Sequence, residues 1–123
     1  MVYLVIGLGG FFGANARFLI ANWAAERLGP FFPYGTLIIN FSGSLVLGFF
    51  MAFLQDRPFI HPNFRLFFAT GLCGGFTTFS TFTYESLRLW QDGNVLIGIV
   101  NLFGSLAIGM IGVLLGFILG RMI

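Results

Sequence analysis

Four stretches of the chain are apolar and about 20 residues or more in length, and only short polar connections separate them. A helix of that length crosses a hydrocarbon layer of about 30 Å. The stretches fall at about residues 2 to 25, 34 to 54, 64 to 90 and 95 to 119. With 58% hydrophobic and 8% charged residues among 123, apolar surface far exceeds what a water-soluble domain of this size hides in its own core. The expected fold class is an all-α membrane protein, a single four-helix transmembrane domain over residues 1 to 123. The connections agree with this reading. Glu26 to Pro33 carries glycine and proline, Gln55 to Asn63 carries two prolines, and Gln91 to Asn94 reads as a turn. The first stretch lacks a basic lead-in and holds Arg17, so it is expected to stay in place as a span rather than be removed as a signal peptide.

Charge excludes some functions and suggests an assembly. Six arginines and four carboxylates are scattered, which leaves no footprint for nucleic acid. Arg57, Arg65 and Arg121 fall on the amino-terminal side of the spans, Arg27 and Arg88 on the other, and Arg17 in the half of span one nearest them. Basic residues set orientation, and a count this close to even permits insertion both ways up. Two oppositely inserted copies then pair as an antiparallel, dual-topology dimer; a weak bias giving one orientation is the alternative. The 18 glycines favour close helix contact: Gly9 and Gly13 in span one, and Gly112, Gly116 and Gly120 in span four, stand one helical turn apart.

Polar residues inside the spans are the candidate functional groups. Thr36, Asn40, Ser44 and Gly48 recur every four residues in span two, as do Asn101, Ser105 and Gly109 in span four. Such groups either bond between helices or line a wet, ion-conducting track. Span three contains Gly74-Gly75-Phe76-Thr77-Thr78-Phe79-Ser80-Thr81-Phe82-Thr83. Paired glycines followed by hydroxyls make poor continuous helix, so a break is expected near the bilayer midplane; an uninterrupted helix with hydroxyls bonded one turn back is the alternative. Carbonyls freed by a break are able to coordinate a cation such as Na⁺. Phe79 and Phe82 lie among hydroxyls, where the positive edge of an aromatic ring can meet a small anion without holding it as tightly as a full charge would. Arg17 and Glu85 are ionisable groups within apolar spans and count as candidates. His61 lies between loop prolines without metal-ligand partners, the lone Cys73 reads as a buried thiol, and Ser80 has no nearby His or Asp to make it a nucleophile.

These motifs resemble the Fluc (CrcB-type) family of bacterial fluoride channels along the whole chain. The similarity is carried by Gly9 to Arg17 (GGFFGANAR), Tyr34 to Gly43 (YGTLIINFSG) and most specifically Gly74 to Phe82 (GGFTTFSTF). The resemblance implies a dual-topology homodimer in the bacterial plasma (inner) membrane, with two fluoride pathways and a structural Na⁺ at the dimer centre. By motif position, the Gly74 and Thr77 backbone carbonyls would hold Na⁺. Phe79 and Phe82 would turn ring edges to the pores beside the Asn40 amide, with Thr81 and Ser105 as neighbouring hydroxyls. Asn101 stands where some members carry tyrosine, and Gly109 where some carry serine. The expected function is passive fluoride export that lowers its toxicity, with no enzymatic activity. The competing readings are a small proton-coupled multidrug transporter, which needs a carboxylate well inside an early span that span one lacks, and a non-transporting scaffold subunit.

Overall fold

The computed structural model describes residues Met1–Ile123 and is helical throughout, without strands. Three helices are long and apolar enough to cross a membrane: α1 (Val2–Leu28), α2 (Tyr34–Gln55) and α6 (Val95–Met122). Glycine ends two of the helical runs. Gly29 follows α1 at φ 88° and Gly93 lies just past α5 (Ser80–Gln91) at φ 86°, a region that residues with a Cβ enter only with strain. Pro62 opens the short α3 (Pro62–Arg65) in the first turn, where its missing N–H is no loss, and the His61 side chain accepts a bond from the Asn63 N–H.

The region expected as a third continuous span, 64 to 90, is built from several pieces. After α3 the chain winds as a wide-turn π-helix over Leu66–Cys73, continues through one α-helical turn, α4 (Gly74–Phe76), leaves helix at Thr77, and resumes as α5. The glycine pair is not itself the interruption. Gly74 is helical at φ −62°, ψ −41°, and the chain turns extended only at Thr77, at φ −78°, ψ 157°. The hydroxyl residues that follow the glycines therefore carry the break, because their side chains supply bonds that replace helical ones. The π-helix had no counterpart in the sequence reading.

Helices meet through glycine. A Cβ on Gly9 would run into the Phe67 carbonyl oxygen and one on Gly13 into that of Leu72, so α1 rests directly on the backbone of the π segment. Gly71 answers from the other side, where a Cβ would come within 2.7 Å of the Ile6 oxygen. Between α2 and α6, Gly112, Gly116 and Gly120 face the backbone oxygens of Phe41, Leu45 and Phe49, and Gly48 faces that of Val113. Such contact lets lipid-soluble helices gain dispersion energy at close range, since no hydrophobic force drives helices together in lipid. Polar ties complete the frame: Arg17 Nε donates to the Gly75 carbonyl at 3.1 Å, and Thr36 Oγ1 donates to Glu85 at 2.6 Å.

Candidate functional site: a groove beside the broken helix

The interruption is pinned from α2. Asn40 Nδ2 donates to the Thr78 carbonyl and Asn40 Oδ1 accepts from the Thr78 N–H, both at 2.9 Å, so one amide side chain satisfies both polar groups of one peptide residue outside any helix. Thr78 in turn starts α5: its Oγ1 accepts from the Thr81 N–H at 3.2 Å and donates to Thr81 Oγ1 at 3.0 Å. Thr77 Oγ1 bonds back to the Cys73 carbonyl at 2.9 Å. Gly43 makes room for the arrangement, because a Cβ there would strike the Thr77 methyl.

Not every group in the break is satisfied. The Thr77 N–H reaches the Cys73 carbonyl, and the Thr78 N–H reaches Asn40, which leaves the carbonyls of Gly74 and Thr77 with no hydrogen bond from within the chain. Arg17 has already engaged one of the two carbonyls between them in sequence, that of Gly75. Bare backbone oxygens of this kind suit a hard cation, which takes oxygen ligands, or a donor from outside the chain. The structural fit to Na⁺ at Gly74 and Thr77 is thus one of chemistry: two free oxygen acceptors, and two is fewer than such a cation's full shell.

Beside the break lies an open groove of about 400 Å³ between α2, the interruption and α6. Asn40 and Ser44 line it from α2, Thr77, Thr78, Phe79 and Phe82 from the third region, and Ser105 and Gly109 from α6. No charged side chain lines it, and its remaining walls are Gly43, Leu47, Leu106, Met110 and Val113. The two rings differ in setting. Phe79 is 77% exposed and sits at the mouth of α5, while Phe82 is 9% exposed and packed; their centroids are 6.1 Å apart with planes tilted by 54°. The Asn40 amide keeps a second N–H beyond the one bonded to Thr78. An amide, hydroxyls, two aromatic rings and aliphatic walls together make an uncharged lining that can exchange water for weak, short-range contacts with a small ion.

Of the residues singled out from sequence, Asn40, Thr77, Phe79, Phe82 and Ser105 converge on this groove. Thr81 does not line it; its hydroxyl accepts from Thr78 and supports the start of α5. Gly74 lies one turn earlier, exposed. Arg17 and Glu85 do not pair with one another: the first holds Gly75, the second accepts from Thr36, which leaves the span-two track at that point. Asn101 stands behind the groove rather than in it, bonded to Ser86 and Ser105. Sequence reasoning missed Thr78 and Ser86. A hydroxyl three residues before Thr81, at a helix start, was a usable signal for the first; nothing marked Ser86.

The model of the family described as CrcB-like protein, Camphor Resistance (CrcB), matches residues 4–117. A protein of Clostridium perfringens (strain ATCC 13124) named fluoride-specific ion channel FluC is 45% identical over 123 residues, covering 100% of this chain and 96% of its own. Proteins of the same name from Synechococcus sp. (strain JA-2-3B'a(2-13)) and Chloroflexus aurantiacus (strain ATCC 29366) are 43% identical over 121 residues and 48% identical over 118. The first covers 98% of this chain and 93% of its own, the second 96% and 94%.

Proposed function

The chain belongs to the CrcB-like family, and from that premise we propose how it works as a fluoride-specific ion channel, a multi-pass membrane protein and not an enzyme. The observation that carries the proposal is the uncharged groove, in which Asn40, Phe79, Phe82 and Ser105 come together beside the pinned break. Fluoride is small and strongly hydrated, so a passage must offer donors at short range in place of water, yet hold the ion weakly enough to release it. An amide N–H, hydroxyls and ring edges meet both demands, whereas an arginine here would trap the anion. Movement follows the electrochemical gradient, and the physiological direction is export across the bacterial plasma (inner) membrane.

The working unit is an antiparallel pair of copies, and the broken third region completes a fourth crossing of the bilayer. Support comes from the near-even arginine distribution, the open groove and the exposure of Phe79 and Gly74, which in a lone protomer would face lipid. Two free carbonyls in each copy, from Gly74 and Thr77, give four oxygens when two copies meet, a set that would hold one Na⁺ at the centre. Held there by those carbonyls, such an ion would supply fixed positive charge between the two breaks. Arg17, by engaging Gly75, helps keep those neighbouring carbonyls in register.

Purified protein reconstituted alone in liposomes tests the reading. Fluoride efflux with chloride retained supports the channel, drug-coupled proton flux would replace it with a carrier, and silence would leave a scaffold. Crosslinking of differently tagged copies, read for opposed orientation, tests the pairing.

A further inference from the structure

Three buried or half-buried polar side chains form a relay that ends at the groove wall. Ser86 Oγ donates to the Phe82 carbonyl at 3.0 Å, Asn101 Nδ2 donates to Ser86 Oγ at 2.8 Å, and Ser105 Oγ donates to Asn101 Oδ1 at 3.1 Å. Proton counting fixes each direction. A carbonyl only accepts, so the single Ser86 proton is committed to Phe82. Ser86 must then accept from Asn101, which turns the amide nitrogen toward Ser86 and the amide oxygen toward Ser105. That oxygen also only accepts. Ser105, which lines the groove, therefore directs its proton away from the groove and shows the passing ion lone pairs.

Asn101 and Ser86 are each 2% exposed, so water does not stand ready to replace a lost partner. We propose that Asn101, oriented by Ser86, is a positioning residue that makes Ser105 a conditional donor: the Ser105 O–H swings to the groove only for a solute that accepts hydrogen bonds more strongly than a buried amide oxygen. Fluoride, the smallest halide with its charge least spread, is such an acceptor; chloride and neutral water are weaker. Swinging out strips Asn101 Oδ1 of its partner, so the relay draws the proton back as the anion moves on. A permanently free hydroxyl would hold the anion longer. The inference rests on the channel reading and deepens it, assigning a role to an asparagine that does not line the groove itself.

The test is fluoride flux from liposomes against fluoride concentration, read separately as half-saturating concentration and maximum rate. Asn101→Leu removes the competing acceptor. Ser86→Ala removes the group that orients the amide, which is then free to turn its nitrogen to Ser105. Both release the Ser105 proton to the groove, so both are expected to lower the half-saturating concentration by about tenfold, the equivalent of one buried hydrogen bond. In a Ser105→Ala background neither change has a further effect on it. A purely structural role for the relay would reduce the amount of active protein and thus the maximum rate, leaving half-saturation where it was. Unchanged half-saturation in both variants, or a shift that persists in the Ser105→Ala background, overturns the inference while fluoride flux by the unsubstituted chain keeps the channel reading intact. If Asn101→Leu does not assemble, Ser86→Ala carries the test alone, and absence of flux from the unsubstituted chain removes both.

Discussion

The α2–α6 pair and the third region settle their polar backbone in opposite ways. Along α2 and α6 every turn is regular and the glycines bring bare backbone against bare backbone, with Gly116 facing Leu45 and Gly120 facing Phe49. In the third region the turns change from π to α to none within residues 66–79, and the Asn40 side chain pairs both polar groups of Thr78 at the break. The first is held by shape and tolerates no added volume; the second shares that tightness where Gly71 packs on α1, but at its break it is held by specific bonds and tolerates no altered chemistry. The groove forms where the two meet, so its walls come from a rigid side and a side shaped by individual hydrogen bonds.

Substitutions that add volume to the first region should have the largest effect. Gly116→Leu places a side chain against the Leu45 carbonyl, forces α2 and α6 apart, and is expected to leave no correctly assembled protein, measured by size-exclusion profile and thermal stability in detergent. Normal assembly would show that this contact is not tight. Next comes a change of chemistry at constant size. Asn40→Asp keeps an acceptor for the Thr78 N–H but loses the donor to its carbonyl, and if ionised puts a negative charge in the groove. Repulsion between like charges near 4 Å reaches several kcal/mol, so fluoride flux should fall by at least about a hundredfold. Wild-type flux would remove Asn40 from the pathway. A smaller loss, up to about tenfold, is expected for Phe82→Ile, which keeps apolar bulk but removes the aromatic ring, with the protein still folded. Unchanged flux in folded protein would take that ring out of the mechanism. The smallest effect belongs to Gly104→Ala. This helical glycine has nothing within 4 Å of a built Cβ, so the change should leave flux alone and stabilise α6 by at most about 1 kcal/mol. A marked loss would reveal a partner packed there.

The same contrast explains what could be read from the sequence. Apolar length and glycine spacing are local properties, and they located α1, α2 and α6 to within a few residues. The four-residue spacing put Asn40 and Ser44 on one face, where both line the groove, yet Thr36 on that face turned to Glu85, 49 residues away, a pairing that only tertiary structure decides. The break was foreseen from the glycines and hydroxyls but falls on Thr77 and its successors, because Asn40 rewards extension there and nothing rewards it at Gly74. The π-helix left no trace in composition: Leu66 to Cys73 reads as ordinary apolar helix, and its widening accompanies backbone contact with α1. For the groove itself, residue identities were legible and their division of labour was not. Asn101 looked like a lining residue and instead stands behind Ser105.

The twofold tie between Asn40 and Thr78 also bears on time. A residue outside regular structure ordinarily surrenders its amide hydrogen to deuterium quickly, but Thr78 donates to a side chain that simultaneously grips its carbonyl, while the neighbouring Phe79 N–H has no partner. The irregular stretch is therefore a clamped elbow rather than a swinging one, and on the proposed pathway an ion crossing beside it need not wait for the main chain to rearrange.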